Sequence, residues 1–295
     1  MLQRFSLFVI LILLIISFSG CGSSAPTTIQ ESAVVVPPTP KPITTLPAYR
    51  LEYSSQPATI PANKPVKLSL LIKDTNGNIV TNYEVAHEKL MHLIIVSSDL
   101  KNYYHLHPEL QPDGKFIETV QLAAGKYKMW AGVKPKDGSD QNLPETLVVG
   151  EQPALPANLI PDSEFSKESE GLKVKMQPSL NILKAGEDVI FNYELTDIKT
   201  GKPVTDLEPY LGAMGHLVII SEDTNDFLHC HPMGGYSQEG AHSHENADTH
   251  KHIETNSTSV SFHTQFPRPG RYKAWSQFKR AGKIITISFV VQLEA

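Results

Sequence analysis

The sequence predicts an all-β protein: two tandem antiparallel immunoglobulin-like β-sandwich domains, set behind a lipoprotein signal and a Pro-rich stalk. Three observations predict it. Short apolar runs rich in β-branched residues recur between turn signals, and no stretch after the N-terminal run shows helical periodicity. One set of residues occurs twice at a constant spacing. Each copy also carries a Gly-Lys-Tyr or Gly-Arg-Tyr step, Gly125 to Tyr127 and Gly270 to Tyr272, like the tyrosine corner of such sandwiches.

The N-terminus comes first. Arg4 is the lone charge before an apolar run from Phe5 to Phe18, and Ser19, Gly20 and Cys21 follow. A positive start, a greasy core and small residues before a cut site make a secretory signal. A Cys directly after the small residues makes it a lipoprotein signal, so residues 1–20 are expected to be removed and Cys21 lipidated. Phe18 stands where Leu is usual. The alternative is an uncleaved apolar anchor, for which the run is near the lower limit. Either way the rest of the chain is expected outside the cytoplasm, in the cell envelope, tied to a membrane by its N-terminus.

Residues 21–48 are rich in Ser, Thr, Ala and Pro, including Pro37, Pro38, Pro40 and Pro42. Such a composition cannot bury a core and reads as a semi-extended stalk. A second break, Glu151 to Glu170, holds Pro153, Pro156, Pro161 and several acids, and reads as an interdomain linker. The expected domains are therefore 49–150 and 171–295, each able to fold alone. The chain has 26 basic and 31 acidic residues, net −5, which argues against a nucleic-acid partner. It has two cysteines; with Cys21 committed to lipid, Cys230 has no intrachain partner.

The repeat is specific. His92, His105, His107 and Pro108 match His216, His229, His231 and Pro232 at an offset of 124 (216 − 92). Gly125, Tyr127, Lys128 and Trp130 match Gly270, Tyr272, Lys273 and Trp275 at an offset of 145 (270 − 125). The second copy thus carries an insert, expected at 233–253. Val66 to Ile72 and Val189 to Leu195 read as strands followed by Gly-containing turns. His92 to Val96 and His216 to Ile220 are short apolar runs rich in β-branched residues, and read as strands.

The histidines carry the chemistry. Between His216 and His229 lies Ser221-Glu-Asp-Thr-Asn-Asp226, which is turn chemistry. His229 and His231 share a face because side chains alternate along a strand. An even loop pairs position 216 with that face; an odd loop pairs it with Cys230. The apolar pattern selects the even loop, which puts Leu217, Ile219, Leu228 and Cys230 together on the other face. The first copy repeats the logic, with His92, His105 and His107 opposite Leu93, Ile95, Tyr104 and Leu106. Three imidazoles on one hairpin face suit copper, zinc or nickel. Met214 and Met233 add thioethers, which favour Cu(I) over zinc. The expected site is therefore His216, His229 and His231 with Met214 or Met233. Lesser candidates are His92, His105, His107, His263 and Cys230, the last by alternation a core residue. The bland alternative is that these histidines pack on Trp130 or Trp275 and hold no ion.

The insert contains His242-Ser-His244 and His250-Lys-His252 among acids. Such a tract captures transition metals loosely and leaves directly from the His229 strand.

Tyr210-Leu-Gly-Ala-Met-Gly-His-Leu-Val218 and Leu228-His-Cys-His-Pro232 resemble YtkA-like domains of bacterial exported proteins. The resemblance implies an immunoglobulin-like or cupredoxin-like sandwich and hints at copper. It covers most of Leu172 to Ala295. Residues 49 to 150 match less well, because His87-Glu-Lys-Leu-Met91 replaces the Gly-rich approach to the first His. The first copy is therefore expected to be the weaker site. A blue-copper centre is not expected, since Cys230 sits between two His on one strand and faces away from them.

Three function classes follow. One is a lipoprotein that buffers, senses or transfers copper, Cu(I) or Cu(II), with zinc as the alternative ion and a metal-transfer protein as partner. The second is a cell-surface interaction or scaffold module without metal. The third, a metal-dependent enzyme, is not expected: the sequence has no convincing nucleophile–base pair, Gly-rich phosphate loop or His-Glu-x-x-His helix.

Overall fold

In a computed structural model the described residues are 48–151, 155–230, 232–233 and 259–295. They form two β-sandwiches, the class the sequence predicts. The first sandwich has one sheet in the order Tyr49–Gln56, Pro65–Asp74, Phe116–Gln121, Glu109–Leu110. Its other sheet runs Tyr83–Glu84, Gly125–Pro135, Met91–Ser97, Tyr103–Leu106, with Gln141–Val149 also on Gly125–Pro135. The second sandwich repeats the plan. One sheet is Ser166–Ser169, Leu172–Pro178, Asp188–Asp197, Ser259–Gln265. The other is Leu183–Lys184, Lys283–Glu294, Gly270–Arg280, His216–Ser221, Phe227–Cys230, with Leu207–Glu208 on Gly270–Arg280.

Alternation builds each core. Val66, Leu68, Leu70 and Ile72 are buried along one strand, with less buried residues between them. They meet Leu93, Ile95 and Tyr127 from the facing sheet. In the second copy Val189, Phe191 and Tyr193 meet Leu217, Ile219 and Tyr272 in the same way. Both tyrosine corners are present. The Tyr127 hydroxyl donates to the Ala123 carbonyl and the Tyr272 hydroxyl to the Arg268 carbonyl, each at 3.0 Å. Both bonds span four residues and pin the loop that enters the strand.

A third apolar cluster joins the two sandwiches. Met91–Ser97 and His216–Ser221 are buried on both faces, so they show no alternation. One face serves each strand's own core. The other brings Ile94, Val96 and Trp130 against Val218, Ile220 and Trp275. These are the same repeat positions in the two copies, so the contact has approximate two-fold character. Residues Leu46–Ala295 accordingly form one compact unit.

The segment read as the interdomain linker, 151–170, is partly docked on the second sandwich. Leu159 is buried in the shared cluster, its N–H donates to Glu222 Oε1 (2.7 Å), and Arg271 Nη1 donates to its carbonyl (2.7 Å). The strand Ser166–Ser169 falls within the segment read as linker, so the second sandwich begins before residue 171.

Candidate metal centre

The hairpins adopt the register that the apolar pattern selects. Leu217 pairs with Cys230, Val218 with His229 and Ile219 with Leu228. In the first copy Leu93 pairs with Leu106, Ile94 with His105 and Ile95 with Tyr104. The histidine-bearing faces are not open to solvent. They are turned toward each other across the interface, where His92 and His216 are buried at 5% and 0% exposure.

Six described imidazoles gather there. His92, His105 and His107 have ring centroids 4.8–5.3 Å apart, and their ligand atoms all lie within 4.8 Å of one another. His216 and His229, 5.7 Å apart, face them from the second sandwich. The separation is 5.7 Å between His92 and His229 and 5.9 Å between His105 and His216. His87 stands at the exposed rim, 6.0 Å from His92.

Hydrogen bonds fix which nitrogens point inward. The His92 Nε2–H donates to the Ala86 carbonyl at 3.0 Å, which leaves the lone pair of the neutral ring on Nδ1. The His105 Nδ1–H donates to Gln277 Oε1 of the second sandwich at 2.8 Å, which leaves the lone pair on Nε2. The Gln277 amide is oriented by its own N–H bond to Thr286 Oγ1 (3.2 Å). His92 Nδ1 and His105 Nε2 lie 3.0 Å apart. Two lone pairs aimed at each other at that distance repel unless a cation stands between them. His107 Nε2 is buried beside them with no hydrogen-bond partner among the described residues.

This donor set fits a metal ion. Nitrogens bound to one tetrahedral ion lie about 3.3 Å apart, given bonds of about 2.0–2.1 Å. Backbone and amide oxygens holding the outer N–H of ligand imidazoles are the usual outer shell of such sites. Metal ligation needs neutral rings, and burial supplies them. It pulls His92 and His107 down to about 3, and lowers His105 against the opposing Gln277 hydrogen bond.

Several expected ligands lie elsewhere. Cys230 is buried in the core of the second sandwich, where burial pushes its thiol up to about 11. Met214 packs against that core, and Met233 is 53% exposed. His263 is exposed on another sheet and paired with Asp188 at 3.0 Å. Cys230 and Met214 thus pack in or against a core and His263 bonds Asp188, so the cluster of possible ligand atoms among the described residues is one of imidazole nitrogens. His231, His242, His244, His250, His252 and Cys21 lie outside the described residues. Among the described residues the triad brought together is that of the first copy, which the sequence ranks second.

Sequence reasoning missed His87 and Gln277. At the 124-residue offset His87 stands opposite Leu211, both in the left-handed region at φ 50° and 54°. A histidine in the repeat where the other copy has leucine was the available signal. Gln277 left none, because it acts on the other domain.

Two segments, 45–150 and 167–295, match the family described as a domain of unknown function, DUF8832. The chain belongs to this family. The two DUF8832 segments coincide with the two sandwiches, so each histidine triad is a feature of one copy. Comparison with curated proteins finds no match. Among solved structures, the Escherichia coli adhesin FdeC is similar at 12% identity and TM-score 0.26, over 85% of this chain and 66% of its own. The Yersinia pseudotuberculosis adhesin InvE is similar at 12% identity and TM-score 0.23, over 83% and 59%. The fibronectin(III)-like modules of Clostridium thermocellum CbhA are similar at 9% identity and TM-score 0.21, over 82% and 94%. This DUF8832 chain therefore spans less than two thirds of the InvE chain and just under that share of FdeC. At such TM-scores the likeness carries nothing further.

Proposed function

We propose that this protein is an extracytoplasmic, lipid-anchored copper-binding protein that buffers or transfers the ion, with zinc as the alternative ion and no enzymatic role. The observation that carries the reading is the His92 Nδ1–His105 Nε2 approach at 3.0 Å, with both outer nitrogens committed to oxygen acceptors. His92, His105 and His107 would hold the ion. An all-imidazole set suits Cu(II) over Zn(II) by intrinsic affinity, and without a thioether in the cluster it does not specially favour Cu(I). The YtkA-like resemblance of Tyr210 to Val218 and Leu228 to Pro232 supports copper, and the signal ending at Cys21 supports the envelope.

The test is a competition titration of Cu(II) and Zn(II) against a chromogenic chelator, on wild type and on His105→Ala/His107→Ala. Wild type should hold a tight ion that the double variant lacks. Equal binding by the two moves the ion elsewhere. A wild type with no tight ion sinks the reading in favour of a metal-free cell-surface interaction module.

A further inference from the structure

We propose that the cleft at the far end of the domain junction, beside Lys126 and Lys128, binds a small dicarboxylate. The site is separate from the histidine cluster and does not depend on the metal-binding reading. Met91–Ser97 and His216–Ser221 carry histidine at or next to their first residue and reach the cleft at their last, so roughly 15–20 Å of strand separates the two sites. The cleft has a volume of about 640 Å³, a usual size for a small-molecule site. Lys126, Lys128 and Thr146 of the first sandwich, Thr224 and Arg271 of the second, and residues 155–157 line it.

The two copies carry the same pair of cations, and only one copy neutralises it. Lys126 and Lys128 stand at the repeat positions of Arg271 and Lys273. They share a strand face with Trp130, as Arg271 and Lys273 do with Trp275, and both tryptophans lie in the shared cluster. In the second copy the chain supplies its own oxygen partners. Arg271 Nε pairs with Glu222 Oε2 at 3.1 Å, and Arg271 Nη1 donates to the Leu159 carbonyl at 2.7 Å. Lys273 Nζ donates to the Leu100 carbonyl at 2.8 Å, with Asp162 and Asp99 near enough to act on its charge.

The first copy lacks these partners. Ser98 stands at the repeat position of Glu222 and offers no charge. The match is structural as well: the Ser98 N–H donates to the Lys126 carbonyl and the Glu222 N–H to the Arg271 carbonyl, each at 2.8 Å. The linker that brings Asp162 docks on Val290, whose N–H donates to Asp162 Oδ2 at 2.7 Å. Thr146 holds the place of Val290 in the strand register, opposite Lys128, and lines the cleft instead. Lys126 and Lys128 make no salt bridge among the described residues, whereas the cleft's arginines are internally paired, Arg271 with Glu222 and Arg268 with Asp223 and Asp226 at 2.6 and 2.7 Å. Two lysine charges thus remain for a ligand. The second copy shows what satisfies this pair of positions: two carboxylates, those of Glu222 and Asp162. A dicarboxylate supplies the same groups from outside, and the hydroxyls of Thr146 and Thr224 can donate to its oxygens.

The experiment is isothermal titration calorimetry on the full, ion-free chain at fixed ionic strength, with succinate, glutarate and inorganic phosphate. The variants are Lys126→Gln, Lys128→Gln and Ser98→Glu, the last installing the residue that the second copy uses, and thermal unfolding verifies that each folds. Wild type should bind one dicarboxylate per chain, and phosphate more weakly. Each lysine variant should bind it at least about ten-fold more weakly, as loss of a charge-assisted hydrogen bond implies. Ser98→Glu should weaken it too, because the new carboxylate competes for Lys126. No saturable binding by wild type at millimolar dicarboxylate overturns the proposal. So does equal affinity in wild type and all three variants, which moves the anion elsewhere. Phosphate bound as tightly as both dicarboxylates overturns the carboxylate class. None of these outcomes alters the metal titration, which tests the histidine cluster separately.

Discussion

Trp130 of the first sandwich stacks on Phe227 of the second, with centroids 4.9 Å apart and planes 17° from parallel. The repeat exchanges the partners: Tyr103 of the first stacks on Trp275 of the second at 5.1 Å and 14°. Tyr103 and Phe227 are equivalent positions, as are Trp130 and Trp275. The two stacks are therefore one contact made twice, and they flank the histidine cluster. Phe227 lies 6.4 Å from His229, and the Tyr103 hydroxyl reaches toward the Gln277 Oε1 that holds His105, at 3.5 Å.

Removing one stack should cost what a buried aromatic costs. Trp130 is 3% exposed, so Trp130→Ala should destabilise the protein by about 3–5 kcal/mol. Wild type should unfold in one transition by denaturant, since Ile94, Val96, Val218 and Ile220 are shared between the halves. The variant should show two transitions and faster proteolysis near the linker. Two transitions already present in wild type would show that the interface contributes little.

Gln277 acts on the ion from the opposite domain. Gln277→Leu removes the oxygen that holds the His105 Nδ1–H and frees that ring to turn. Loss of such an outer partner typically costs about 10–100-fold in metal affinity. The titration should show that loss for the ion with its stoichiometry unchanged. An unchanged affinity would mean that His105 is not a ligand through Nε2.

Acid should open the ion-free protein. Burial holds His92 and His107 at about 3 in the folded chain, against 6.5 for the unperturbed ring. Between those values the unfolded chain binds more protons, so stability is present above about 6.5 and falls as pH drops toward 3. Denaturant midpoints at pH 7.5 and 5 should differ, and His107→Gln should flatten the difference. The same burial moves proton competition with the ion to lower pH than the 6.5 of an unperturbed ring. A midpoint independent of pH would mean that the imidazoles are solvated.

Anchoring rests on sequence. Cys21→Ala should abolish acylation and shift the protein from the membrane fraction to the soluble one. If the variant partitions as wild type does, the Phe5 to Phe18 run is the anchor.

The sequence by itself determined the class, the duplication and the hairpin register. Alternation in Val66–Ile72 fixes which side chains one sheet buries, and a one-residue slip in either hairpin would drive histidine into a core of leucine and isoleucine. In the runs His92 to Val96 and His216 to Ile220 the pattern assigned only the leucine and isoleucine face to a core. It could not say that the histidine-bearing face is covered too, because an apolar run reads the same whatever lies against it. Only the tertiary structure decided that each hairpin's cover is the other copy. That choice gathers His92, His105, His107, His216 and His229 in one place, brings His87 to their rim, and recruits Gln277. It also leaves Cys230 and Met214 in a core. Local pattern is set by the period of the strand. The meeting of residues more than a hundred positions apart is set by the shape and apolar area of two folded surfaces, which no spacing encodes.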